Sequence, residues 1–239
     1  MLKFIKPDYK VNEYVENNYY GKFVLEPLER GFGTTMGNAL RRVMLSSLEG
    51  SAITDIKIEG VMHEFQKMDG VVEDVTEIIL NLKKLVLKNH SEQDQILHLK
   101  ADREGEVHAS DIDKNGEVEI VNPDLVIATI SAGGSLDMTM TVSNGRGYVD
   151  GKVNAQAVKD VVGAIGIDSL YSPIERVSYE VEPARVGQSD NYDKLTLNVW
   201  TNGSIKPEEA LANASKIIID HFEVITNLHN LKGLESVLA

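Results

Sequence analysis

Residues 28–50, LERGFGTTMGNALRRVMLSSLEG, gather the groups from which phosphate-binding loops are built: Gly31, Gly33 and Gly37, Thr34 and Thr35, then Arg41 and Arg42. A dinucleotide loop needs G-x-G-x-x-G after a strand, so that the backbone can approach a pyrophosphate at a helix N-terminus. Here the third glycine arrives one residue late. A P-loop needs Gly-Lys-Ser/Thr to set an ammonium on the phosphates, but Gly37 is followed by Asn38, and no lysine lies between Lys22 and Lys57. Both motifs fail. The simpler expectation is that the glycines turn the chain after the strand YGKFVLEP and that Thr34 or Thr35 caps a helix running to about Glu49.

A second cluster is Glu73, Asp74 and Glu77, of which 73 and 77 share a helix face as paired carboxylates do in acid–base or metal chemistry. Acidic residues in a first helical turn more often complement the helix dipole. The six histidines, at 63, 90, 98, 108, 221 and 229, form no HExxH pair, and the absence of cysteine excludes disulfides, thiolate ligands and thiol nucleophiles. The expectation is a chain with no catalytic residues, no metal and no cofactor.

The helices that position these residues carry a different message. At about 100° per residue, the first helix places Met36, Ala39, Leu40, Val43, Met44 and Ser47 on a core-facing stripe. Leu45 falls on the opposite face among Asn38, Arg41, Arg42 and Glu49. A lone exposed leucine is ordinary, whereas one fenced by arginines has the composition of a protein-contact patch; either reading fits this helix. At the other end, NGSIKPEEALANASKIIIDHFEVITNLHNLK opens with Pro207, Glu208 and Glu209, the pattern of a helix start. Lys206 stands where a small acidic cap is expected, which leaves Ser204 or water to satisfy the first turn. Leu211, Ala214, Ile218, Phe222 and Ile225 form one apolar stripe; Ala210, Ile217, His221, Val224 and Leu228 form a second beside it. One stripe docks a helix on its own sheet, and the second calls for another surface, a symmetric partner chain or a deeper core.

Between these ends the chain reads as strands and one helix. DIKIEG and SLDMTMTV alternate, QILHLK and GEVEIV add short strands, and a helix from about Val72 to Lys84 has Val75, Ile78, Ile79 and Leu82 at helical spacing. DREGE, DIDKNGE and NGRGYVDG read as loops. After them YSPIERVSYEVEPARV and DKLTLNVWTNG alternate as half-buried antiparallel strands. The order of strand, helix, insert, strands and helix allows a domain interrupted by a second, strand-rich one.

The chain has 239 residues, 42% of them hydrophobic, and a formal charge of −13 from 24 basic and 37 acidic residues. That balance opposes direct nucleic-acid binding, which needs a basic face to release phosphate counterions. No run of about 18 apolar residues and no secretory h-region is visible, so the expectation is a soluble cytoplasmic protein without a membrane role.

Several long blocks are specific enough to carry a family resemblance: LEPLERGFGTTMGNALRRVMLSSLEGSAITDIKIEGVMHEF, GVVEDVTEIILNLK, NGRGYV, YSPIERVSYEVEPARVGQ and DKLTLNVWTNGSIKPEEA. In this order they resemble the amino-terminal domain of the bacterial RNA polymerase alpha subunit, over nearly the whole chain. The resemblance implies an α+β fold: an antiparallel sheet with two packed helices forming a dimerisation domain (1–50 plus 173–235), interrupted by an insert domain (51–172). Residues 236–239 would begin a linker, the DNA-binding domain of full-length members being absent from a chain that stops at GLESVLA.

The resemblance also implies a homodimer formed by the first and last helices, with Met36, Leu40, Ile217, His221, Val224 and Leu228 at the interface. That dimer would be a non-catalytic scaffold for the beta and beta-prime subunits. By position in the matched blocks, Arg42, Leu45 and Glu77 correspond to beta contacts, and Lys83 and Ile167 to the beta-prime side. The local alternatives are a solvated carboxylate for Glu77, a dipole-complementing lysine for Lys83 and a core side chain for Ile167. A dimeric scaffold outside transcription would share the wide helix faces but give no reason for the Arg42 patch.

Overall fold

The computed structural model describes residues 8–15, 19–187 and 189–226. In chain order its elements are β1 (Asp8–Val15), β2 (Tyr20–Glu29), α1 (Phe32–Ser47), β3 (Glu49–Ile58), α2 (Val75–Leu82), β4 (Leu87–Asn89), β5 (Gln95–Ala101), β6 (Gly105–His108), β7 (Val118–Ile120), β8 (Val126–Ile130) and β9 (Leu136–Arg146). There follow β10 (Tyr148–Val149), α3 (Gly151–Ala157), β11 (Ala164–Gly166), β12 (Ser169–Leu170), β13 (Ile174–Val186), β14 (Ser189–Thr201) and α4 (Pro207–Thr226). The fold is α+β with antiparallel sheets. It divides into two compact units, one from the described parts of 1–48, 174–201 and 205–239, the other from 49–173 with 202–204.

The first unit is a four-stranded antiparallel sheet in the order β1-β2-β14-β13. Its register sets Phe23 opposite Leu197 and Leu25 opposite Leu195, with Tyr179 across from Leu197 on the other side. Every second side chain therefore faces the helices, where Phe23, Leu40, Met44, Val177, Leu195, Leu197 and Val199 are buried together. The first helix begins three or four residues earlier than a threonine cap implies, at Phe32, with Gly31 at φ 91° as the residue before it. Only Gly31 makes the turn. Gly33 and Gly37 are buried inside the helix, because a Cβ on Gly37 would lie 2.6 Å from the Tyr179 ring and one on Gly33 2.7 Å from Val181. The buried face thus runs through Gly33, Gly37, Leu40 and Met44, rotated from the stripe centred on Met36 and Val43, which are only partly buried.

The last helix buries Pro207, Ala210 and Ala214, small residues that let it lie close to the sheet. Leu211, Ile217 and Ile218 pack at the edge of the same core. Beyond Ile218 the described helix is exposed throughout. Ser204 does not cap this helix; its hydroxyl donates to Asn202 Oδ1 at 2.7 Å.

The second unit holds a sheet in the order β5-β9-β3-β4-β7 with β11 also paired to β3, and two small ribbons, β6-β8 and β10-β12. Ile56, Ile78, Leu99, Ile127, Met138 and Met140 are fully buried in its core. Here α2 starts three residues later than its periodicity suggests. Asp74 is its cap: Glu77 N donates to Asp74 Oδ1 at 2.8 Å and Asp74 N to Glu77 Oε2 at 3.1 Å, a reciprocal capping box. NGRGYVDG, read as a loop, is mostly strand, since β9 continues to Arg146 and only Gly147, at φ 66°, turns the chain into β10. The helix α3 has no apolar periodicity, because its buried residue is polar. Asn154 donates to Ile167 O at 2.6 Å and to Ser169 Oγ at 2.9 Å, while Val153 next to it is 62% exposed.

Candidate protein-contact sites

The N-terminus of α1, where a phosphate would sit, already holds an anion. Asp193 Oδ2, on β14, accepts from Gly31 N at 2.8 Å and from Gly33 N at 3.2 Å. A carboxylate of the chain itself therefore complements the helix dipole and satisfies the first donors.

Along α1 the two arginines differ. Arg41 turns back to its own sheet, its Nε donating to Val177 O at 3.3 Å. Arg42 is exposed, and no carboxylate among the described residues pairs with it. Leu45, expected in solvent, is half-buried against the core; the glycine-driven rotation of the helix carries it to the flank of the packed face, which corrects the expectation of a leucine standing clear of its own fold. Glu49 lies beyond the helix, in β3, and pairs with Arg146. Leu40, expected at a dimer interface, is 5% exposed. It is a core residue wedged between helix and sheet, so its side chain has almost no surface to offer. Met36 is half-buried beside it.

Among the described residues of the first unit, the most exposed large apolar side chains lie on the distal half of α4. Ile219, Phe222, Val224 and Ile225 are 55%, 59%, 70% and 58% exposed. Ile217 is half-buried on the core, and His221 is exposed with Nδ1 2.7 Å from Ile217 O, which assigns the ring proton to Nδ1. Phe222 and Ile225, read as the stripe that docks on the sheet, lie past its reach. Leu228 is outside the described residues.

In the second unit, the three carboxylates that could have formed an acid–base or metal site are already engaged in local hydrogen bonds. Asp74 and Glu77 form the capping box, and Glu73 accepts from Thr129 N at 2.6 Å and Thr129 Oγ1 at 3.0 Å. Glu77 remains exposed at the start of α2. At the far end Lys83 donates to Asp168 Oδ2 at 2.7 Å, while Asp168 Oδ1 accepts from Gly151 N at 2.7 Å. Lys83, and then the Gly151 N–H, hold the Asp168 carboxyl below the ordinary carboxylate range. Ile167 is 4% exposed and belongs to the core, which corrects the expectation that its side chain meets a partner.

Lys83, Asp168, Phe65, Leu80 and Tyr148 line one open cavity of about 460 Å³. Phe65 is 77% exposed, Tyr148 61% and Leu80 52%. None of these three is marked by periodicity. Phe65 has one sequence signal, an aromatic ring standing alone in the polar run HEFQK.

Residues 56–172 match the family model of the RNA polymerase Rpb3/RpoA insert domain. The chain is 53% identical, over 96% of its length and 72% of the relative's, to the DNA-directed RNA polymerase subunit alpha of Carboxydothermus hydrogenoformans. It is 54% identical to the same subunit of Symbiobacterium thermophilum, over 95% of its own length and 72% of the relative's. The Oenococcus oeni subunit is 51% identical over 100% of this chain and 75% of that one.

Proposed function

The chain belongs to the DNA-directed RNA polymerase alpha subunit family, and from that premise we propose that it is a non-catalytic assembly subunit that pairs with a second copy and then receives the beta and beta-prime subunits. Its role is that of an alpha subunit in a nucleotidyltransferase complex. The observation that carries the assembly reading is the distal half of α4. Four large apolar side chains there are more than half exposed after the chain has folded, and burying apolar surface is worth about 25 cal/mol per Å². A two-fold dimer buries the same patch of both copies, and an exposed apolar helix end can serve as that patch. Ile217, His221 and Val224 lie on this helix, and Met36 lies on the neighbouring α1.

For the large subunits, the exposed Arg42 is the strongest single candidate in the first unit, with Leu45 at its side as a partly covered apolar neighbour. Glu77 and Lys83 are the corresponding polar groups in the second. The cytoplasm follows from a role in bacterial transcription, and a net charge of −13 argues against direct contact with DNA.

Light scattering on the eluting peak tests the central claim. The 239-residue chain is expected as a dimer at micromolar concentration, and Val224→Asp as a folded monomer with unchanged circular dichroism. A parent chain that elutes as a monomer would refute the proposal.

A further inference from the structure

We infer that the cavity beside α2 in the second unit receives an arginine, carried next to an apolar side chain on a segment of one of the large polymerase subunits, and that Phe65 is its anchor. This inference rests on the assembly reading above and adds the chemistry of the partner.

Phe65 is both the most exposed large apolar side chain of the described residues, at 77%, and held on a braced loop. Thr76 Oγ1 donates to Glu64 O at 2.9 Å, Gln66 Nε2 to Gly60 O at 2.9 Å, and Met62 N to Gln66 Oε1 at 3.0 Å. Such bracing keeps an aromatic ring in solvent without the freedom to fold it away, so a partner that buries it meets little ordering cost. Leu80 and Tyr148, both more than half exposed, stand on the same cavity. An apolar and aromatic wall of this size is an anchor site of the kind that dominates binding energy.

Charge then selects the occupant. The rim carries Glu64, Asp150 and Asp168 against Lys83 and Lys152. Asp168 already neutralises Lys83, and the Glu64 carboxylate has no partner among the described residues. The rim as a whole carries one more carboxylate than ammonium. A guanidinium answers both features at once: its plane stacks on Phe65 or Tyr148, and its forked donors match a carboxylate. An acidic or purely apolar segment would leave the Glu64 carboxylate without a counter-charge.

The test is binding of the whole chain to purified beta and beta-prime subunits as a function of salt, with melting curves as a folding control. Phe65→Ala is expected to weaken binding of one large subunit about 30-fold. Glu64→Lys is expected to weaken it about tenfold and to flatten the salt dependence. Folded variants that both bind within about twofold of the parent would overturn the inference. If Arg42→Ala weakens binding while Phe65→Ala and Glu64→Lys do not, this inference fails and the assembly reading stands. Failure of the parent chain to bind either large subunit refutes both.

Discussion

The two units solve the problem of covering a helix in opposite ways. In the second unit α2 is eight residues long and buries Val75, Ile78, Ile79 and Leu82, so nearly all of its apolar content is spent inside its own fold. In the first, α4 is twenty residues long and buries only Pro207, Ala210 and Ala214. The longer helix is the less finished one. A closed unit can offer partners only what it holds on its surface by other means, here a braced loop and an ion pair. If a second copy covers the exposed part of α4, docking and stability become one equilibrium.

The largest effect that would break this contrast concerns concentration. If the first unit is completed by a second copy, the melting temperature of the parent should rise by several degrees across a hundredfold increase in protein concentration. Val224→Asp should abolish that rise. Calorimetry showing the same concentration dependence in both would remove α4 from the interface. Next in size, Ile78→Ala should destabilise the second unit by about 2–5 kcal/mol through cavity formation, with the elution position unchanged. A denaturation series that shows loss of dimer in this variant would mean the units are not separable.

A smaller effect separates the helix starts. Asp193→Ala removes the carboxylate that caps α1 from the neighbouring strand and should cost about 1 kcal/mol. It should leave any anion affinity at the loop undetectable by calorimetric titration with phosphate, since the site is a cap. The smallest concerns pH. Asp168 has a folded pKa lowered below its ordinary value, first by Lys83 and then by the Gly151 N–H. Its contribution is therefore present above the unfolded carboxylate pKa and is lost as pH falls through the folded one. Because the Lys83 and Asp168 side chains are 33% and 37% exposed, the pair contributes on the order of 0–1 kcal/mol. Asp168→Asn should flatten the acid limb of the second unit's stability by that amount, measured by urea denaturation between about pH 3 and pH 6.

Several elements were legible from residue pattern alone, for reasons that are local. Val177, Tyr179 and Val181, and Leu195, Leu197 and Val199, alternate because each strand has one face on the core, and both strands stand where the pattern puts them. Ile78, Ile79 and Leu82 repeat at helical spacing because α2 packs on one side. The helix α3 was not legible, because its one buried side chain is Asn154 and Val153 faces solvent. Satisfied buried polar groups reverse the pattern on which periodicity depends. Of the candidate contact residues, Arg42 is visible as a type and a position. That it is Arg41 that bonds Val177 O, while Arg42 stays exposed, is visible only in the folded chain.

Composition, spacing and motif blocks by themselves determined the kind of fold, the absence of phosphate-loop and thiol chemistry, and the polymerase family, because each of these depends on which residues occur and in what order. The rotation of α1 was decided only in three dimensions, since Gly33 and Gly37 let the helix approach β13 until Tyr179 and Val181 fill the place of their missing side chains. That rotation half-buries Leu45, and the packed chain leaves Phe222 and Ile225 of α4 in solvent. Periodicity says which residues share a helix face; how far the opposing surface extends, and therefore which of them are covered, belongs to the packed chain.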